Sequence, residues 1–171
     1  MSTIIGLAGP KGVGKSTYAN QLVFDMVSEK PCTAPDLAKI RIISFATPLK
    51  EMLGCIVHQD YIDDKERVIP NLGVSARHCL QTLGTEWGRN IHPDIWINIT
   101  KHRMEESDAK IFIIDDVRFD NEAEMICEMG GEVWKLSRSG VKEDDNHISE
   151  SGISDNLITK NVNLDSLSNV T

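Results

Sequence analysis

The sequence predicts an α/β fold built on a mainly parallel sheet. Three observations carry that reading. Short apolar runs alternate along the chain with stretches of helical periodicity. The intervals between runs suit helical crossovers, the connection that parallel neighbours need. The first run ends in glycine and leads straight into an amphipathic helix. A chain of 171 residues is long enough for one compact domain with a sizeable core and short for two.

The elements follow in order. Thr3 to Ala8 (TIIGLA) reads as a buried strand, and Ala19, Leu22, Val23 and Met26 recur at helical spacing between Ser16 and Val27. Ser28 to Lys39, with Pro31 and Pro35, is a loop, and Ile40 to Phe45 (IRIISF) is a second strand. Thr47 is an N-cap before Pro48, and LKEMLGCIV follows as a helix. Gln59 to Gly73 is charged, lacks sustained periodicity and reads as a mobile excursion. The next helix runs from Ser75 to Gly88 with a core face of Ala76, Leu80, Leu83 and Trp87, and Asp94 caps another ending near Glu106.

Lys110 to Asp116 (KIFIIDD) is the clearest strand: four apolar residues closed by two aspartates. Asp120 caps a helix to Met129, with Glu122 and Glu124 at its positive end and Gly130-Gly131 stopping it. Glu132 to Ser137 is a further strand, Ser139 to Ser154 a polar loop or lid, and the tail from Leu157 is weakly strand-like.

Composition narrows the function classes. No run approaches the roughly 20 apolar residues of a membrane span, and the N-terminus lacks a signal-peptide pattern, so the expected protein is soluble and intracellular. Cys32, Cys55, Cys79 and Cys127 are scattered without metal-ligand spacing, and neither they nor the histidines suggest a structural zinc. A net charge of −8 argues against a track for a nucleic-acid polymer, which needs many cations, but leaves room for a small anionic ligand.

Residues 9 to 16, GPKGVGKS, match G-x-x-x-x-G-K-[ST] at every specified position. Such a loop curls successive N–H groups around one anion at the positive end of the following helix. Gly9, Lys11, Gly12, Val13, Gly14, Lys15, Ser16 and Thr17 are therefore the expected triphosphate site. Lys15 would reach the β- and γ-phosphates, and Ser16 would ligate Mg²⁺. Asp115 and Asp116 close their strand as a metal-linked carboxylate does; Asp116 is assigned to the metal, with Asp115 beside it as the open alternative. Arg118 and Arg138 follow strand ends, where a parallel sheet gathers its ligands. They are expected to neutralise phosphate charge as catalytic residues with Lys15. Arg77, Gln81, Thr85 and Arg89 recur at intervals of four and form a polar ridge. Trp87 is assigned to the core, Trp96 remains open between core and base stacking, and His147 reads as a solvated loop residue.

Four segments together resemble the phage-type deoxynucleoside monophosphate kinases: GLAGPKGVGKST, SFATPLKEML, LQTLGTEWGRNIHPDIWIN and IIDDVRFDNEAEMICEMGG, followed by KLSR and a D-x-H-x-S-E stretch at Asp145 to Glu150. The resemblance covers most of residues 4 to 160. It implies an adenylate-kinase-like P-loop fold, with a core of residues 1–46 and 107–171, a helical nucleotide-binding insertion at 47–106 and a lid at 139–155. It implies transfer of the γ-phosphoryl of ATP, with Mg²⁺, to a deoxynucleoside 5′-monophosphate. It places Phe45, Lys50, Gln81, Thr85, Arg89 and Trp96 on the acceptor side, has Arg118 bridge donor and acceptor phosphates, and puts Arg138 on the donor side; Arg77, from the polar ridge, and Asp116 are assigned to substrate binding with them. It further implies a cytoplasmic location (the host's, if phage-encoded), small nucleotides as partners, and a homodimer. The sequence departs from the pattern at Asp115, where many relatives carry a hydroxyl residue. A dephospho-coenzyme A or phosphomevalonate type of kinase, or a non-transferring nucleotide switch, remains an alternative on the loop alone.

Overall fold

The computed structural model describes residues 2–28, 38–141 and 152–167. In chain order these form β1 (Thr3–Ala8), α1 (Lys15–Ser28), β2 (Ile40–Ile43), α2 (Thr47–Gly54), α3 (Gln59–Asp63), β3 (Val68–Ile69), β4 (Val74–Ser75) and α4 (Ala76–Gln81). A π-helical segment, Thr82–Arg89, continues α4. Then come α5 (Ile95–Glu105), β5 (Ile111–Val117), α6 (Asp120–Glu128), β6 (Glu132–Ser137), a 3₁₀ turn at Asp155–Leu157, β7 (Lys160–Asn163) and α7 (Leu164–Leu167). The contacts divide the chain into two units: Met1–Ser44 with His102–Thr171, and Phe45–Lys101.

The first unit is an all-parallel five-stranded sheet in the order β2-β5-β1-β6-β7. Its central strands β5, β1 and β6 read as apolar runs because both of their faces are largely covered, while the edge strands β2 and β7 are more exposed. On the α1 face, Ile5, Leu7, Ile113, Trp134, Leu136 and Val162 pack with Ala19, and Tyr18, Leu22, Val23 and Met26 lie against them. Leu7, Ile113 and Leu136 are almost fully buried, each stabilising by about 1.5–3 kcal/mol on transfer grounds. α6 covers β1 and β6, and Ile126 reaches so close to Gly6 that an added Cβ there would meet its Cδ1 at 2.5 Å.

The helix α6 ends as its glycines require. Gly131 N–H donates to Ile126 O and Gly130 N–H to Cys127 O, both at 2.9 Å, the paired bonds of a Schellman stop. Its start differs from expectation. Phe119 holds the N-cap position, and Glu122, 3% exposed, accepts the N–H groups of Arg118 and Phe119 at 2.8 and 3.2 Å. Asp120 is thereby released to accept the Ser154 N–H at 2.8 Å and its hydroxyl at 2.6 Å. The weakly strand-like tail pairs as β7 with β6.

The second unit is helical, around Leu53, Val57, Ile62, Ile69 and Ala76. Residues 59–73, expected as a mobile excursion, are ordered into α3 and the β3–β4 hairpin. Two isolated apolar residues, Ile62 and Ile69, anchor them, and such a pair leaves no periodic trace in the sequence. α2 begins at Thr47, with Ala46 rather than Thr47 at the cap position. Ser75 caps α4 by accepting the His78 N–H at 3.3 Å. The expected core position of Trp87 is overturned: it is 46% exposed. The spacing rule assumed i→i+4 bonding throughout, whereas the π-helical turns bond i→i+5 and rotate later residues off the face.

Candidate nucleotide-binding site

Strand β1 delivers the glycine-rich loop to the C-terminal edge of the sheet, between β5 and β6. This is where the strand order reverses, the usual ligand crevice of an open α/β sheet. Gly9, Gly12 and Gly14 adopt φ of 137°, 78° and 105°, conformations closed to most side chains. Gly9 is doubly constrained, because an added Cβ would stand 2.6 Å from Leu136 O. Val13 plugs the loop into the core at 0% exposure. Lys11, Gly12, Ser16 and Thr17 are exposed and Lys15 is half-buried. The Lys15 ammonium donates to Gly9 O at 2.6 Å and Pro10 O at 3.0 Å, so it lies over the loop that the N–H groups line.

The two strand-end aspartates separate at a β-bulge. Gly6 pairs with Ile114 but Ala8 pairs with Val117, so Asp115 and Asp116 stand opposite the single residue Leu7. A bulge re-aims side chains, and here each carboxylate finds a different serine. Ser16 Oγ donates to Asp115 Oδ2 at 2.6 Å, while Ser44 Oγ donates to Asp116 Oδ2 at 2.5 Å. The carboxylate beside the loop serine is that of Asp115, while that of Asp116 lies with Ser44. A serine hydroxyl and a carboxylate are hard oxygen donors, the set that suits Mg²⁺, so these residues fit that ion.

Arg118 is half-buried just past β5, its backbone N–H fixed by Glu122. Arg138 follows β6 and its guanidinium lies over the loop. A Cβ built on Gly14 would be 3.5 Å from one terminal nitrogen and 3.7 Å from the other. Lys15, Ser16, Asp115 and Arg138 thus gather around one loop within the first unit. The Asp145–Glu150 stretch, with His147, and most of the expected lid lie outside the described residues.

Most of the residues expected on the acceptor side fall in the second unit. Arg77, Gln81, Thr85 and Arg89 are all half-buried, as is Lys50. Arg77 faces Glu66 at 3.6 Å, and Arg89 Nη1 donates to Pro93 O at 3.1 Å. Phe45 and Trp96 are each 3% exposed. The Trp96 indole N–H donates to Gly84 O at 2.8 Å, and its ring lies so close to Gly88 that a Cβ there would meet Cζ2 at 2.2 Å. In this geometry Trp96 packs against the Thr82–Arg89 segment. Ser44, Glu122 and Asp165 were not singled out from the sequence as site residues. Their roles depend on partners 72, 4 and 26 positions away, and no local pattern marks the distant ones.

Residues 20–170 match the family described as deoxynucleotide monophosphate kinase. The match begins after the glycine-rich loop, so residues 9 to 16 stand on their own pattern. The chain is 34% identical over 166 residues to a provisionally named deoxynucleotide monophosphate kinase of Acanthamoeba polyphaga mimivirus, covering 86% of this chain and 80% of that protein. It is 32% identical over 131 residues to the deoxynucleoside-5′-monophosphate kinase of Escherichia phage T5, covering 71% of this chain and 52% of that one. Among the described residues no helix is long and apolar enough to cross a membrane. Matched along most of its length and carrying a P-loop on a parallel sheet, the chain belongs to the deoxynucleotide monophosphate kinase family.

Proposed function

We propose that this chain transfers the γ-phosphoryl group of ATP to deoxynucleoside 5′-monophosphates, giving ADP and the deoxynucleoside diphosphates. The family match over residues 20–170 carries the reading. The placement of Ser16, Asp115, Lys15 and Arg138 around one loop supports a triphosphate donor.

The acceptor's phosphate oxygen is already ionised at neutral pH, so no general base is required. That oxygen forms the new bond to the γ-phosphorus as the bond to the β–γ bridging oxygen breaks, and ADP leaves with the electron pair. Catalysis is then positioning and charge neutralisation. The loop N–H groups and Lys15 hold the β- and γ-phosphates. Arg138 and Arg118 offset charge on the transferring group. Ser16 and Asp115 would hold Mg²⁺, which when bound neutralises phosphate charge. Asp116, held by Ser44, is assigned to the acceptor side with Lys50, Gln81, Thr85 and Arg89. Arg77 belongs to the same ridge, oriented by Glu66. The reading includes action in the cytoplasm (the host's, if phage-encoded) on free nucleotides rather than nucleic-acid polymers. A homodimer, implied by family resemblance, is checked by sedimentation.

The test is a coupled ADP-release assay with ATP, Mg²⁺ and each deoxynucleoside monophosphate in turn. Release dependent on at least one of them supports the reading. Tight ATP binding without transfer to any would refute it.

A further inference from the structure

The short C-terminal helix α7 holds a carboxylate that none of the catalytic roles above uses. Asp165 Oδ2 accepts the Ser139 N–H at 2.7 Å. Ser139 is the residue after Arg138, and Arg138 carries its guanidinium over the phosphate loop at Gly14. Three further features fix Asp165 itself. β7 pairs with β6 up to Ser137↔Asn163, so the two strands end side by side. The Asn163 side chain accepts the Asp165 N–H at 3.0 Å, and the Ser166 hydroxyl donates to Asn163 O at 2.6 Å. Leu164, 4% exposed, packs toward the loop, 3.7 Å from where a Gly14 Cβ would stand.

We infer that Asp165 is a positioning residue of the donor site, holding the Arg138–Ser139 turn so that the Arg138 guanidinium stays over the phosphate loop. The physical need is clear. Arg138 is exposed and sits where the chain leaves the sheet; the β6–β7 register ends at Ser137, and the Arg138 carbonyl accepts only a long turn bond, from the Val141 N–H at 3.3 Å, among the described backbone bonds. A long side chain on an untethered turn loses rotamer and backbone freedom when it meets a phosphate. A turn already anchored by a carboxylate has less left to lose. The anchor is charge-assisted, since a carboxylate accepting an N–H makes a stronger bond than a neutral acceptor. In keeping with this, hydrogen bonding from Ser139, with a smaller contribution from the Arg138 charge, holds the Asp165 carboxyl below its ordinary value. Asp165 therefore acts through Arg138 and does not itself touch the nucleotide.

This inference rests on the reading of Arg138 as a donor-side cation, and a double-mutant cycle separates the two. Donor and acceptor KM, kcat and Tm would be measured for Asp165→Ala, Asp165→Asn, Arg138→Ala and the double variant Asp165→Ala/Arg138→Ala. Asp165→Ala should raise the ATP KM about fivefold, the scale of one hydrogen bond, leaving the acceptor KM unchanged. Its Tm should stay within about 2 °C of the parent, as for most exposed substitutions. Asp165→Asn keeps a carbonyl acceptor for the Ser139 N–H and should recover most of the ATP affinity. In the Arg138→Ala background, adding Asp165→Ala should change the ATP KM less than about twofold, the mark of a shared pathway. An Asp165→Ala effect of equal size with and without Arg138 would overturn the inference, as would equal losses for donor and acceptor. If Arg138→Ala alone leaves the ATP KM unchanged, the donor-side reading of Arg138 fails first. If Arg138→Ala raises it and Asp165→Ala does not, only the positioning role falls.

Discussion

Ser16 on the phosphate loop and Asp115 at the end of β5 are joined by a 2.6 Å hydrogen bond across 99 residues of sequence. The pair links the loop that would carry the triphosphate to the strand that would supply its metal carboxylate. Asp116, next to Asp115 in the bulge opposite Leu7, accepts from Ser44 instead, so the neighbouring aspartates serve separate partners. Asp115→Asn should therefore lower kcat about 10²–10³-fold, the cost of removing one preorganised electrostatic contact, and raise the Mg²⁺ concentration needed for half-maximal rate. Asp116→Asn should leave that Mg²⁺ dependence unaltered. Magnesium titrations of the two variants check this, and the reverse pattern would reassign the metal to Asp116.

Lys15 is the second donor-side test. Its ammonium lies over the loop carbonyls of Gly9 and Pro10, within the span of residues that would wrap the phosphates. Lys15→Ala should abolish measurable transfer while the sheet stays folded, since the side chain is only half-buried. Single-turnover kinetics beside a far-UV spectrum would check both halves of that expectation.

On the acceptor side, Arg89 is held by Pro93 O at the end of the π-helical segment. Arg89→Ala should raise the KM for the deoxynucleoside monophosphate about tenfold or more, as expected for losing a charged partner of a phosphate, with the ATP KM unmoved. Wild-type acceptor affinity in that variant would remove Arg89 from the acceptor site.

Gly88 tests the packing beneath that ridge. A methyl at this position would collide with the Trp96 ring at 2.2 Å, and the helix backbone cannot retreat without breaking the Trp96–Gly84 bond. Gly88→Ala should destabilise the protein by about 1–3 kcal/mol, the range for overpacking. Urea unfolding reads this directly, and an unchanged midpoint would contradict the close contact.

Acid should loosen the joint between Asp120 and Ser154. Two hydrogen bonds from Ser154, side chain first and backbone second, hold the Asp120 carboxyl below its ordinary value of 3.8. A depressed folded pKa means the native state binds fewer protons than the unfolded chain. The stabilisation is therefore fully present above the ordinary value and is lost as pH falls through the lower folded one. The stability difference between the parent and Asp120→Asn should be constant near neutrality and shrink below about pH 4.

Much of the first unit was legible in the sequence because its central strands are apolar on both faces and its helices obey a single period. β1, β5 and β6 fall where their apolar runs lie, and Gly130-Gly131 ends α6 as glycine chemistry requires. The phosphate loop was legible because four fixed positions recur in eight residues. The second unit was less so. Trp87 was misplaced because a π-helix breaks the four-residue period, and residues 59–73 are ordered by two apolar residues with no repeat between them. Which serine each of Asp115 and Asp116 meets follows a one-residue slip in strand register, which adjacent identical residues conceal. Ser44 and Asp165 escaped notice because their partners become neighbours only once the sheet has formed.

The central claim, phosphoryl transfer to a deoxynucleotide, is tested most directly by ³¹P NMR of the protein with ATP, Mg²⁺ and a panel of deoxynucleoside monophosphates. The expected result is loss of the ATP β-phosphate signal with matched growth of ADP and a deoxynucleoside diphosphate for at least one acceptor. ATP bound but unconsumed, or hydrolysed to inorganic phosphate with every monophosphate left intact, would contradict it.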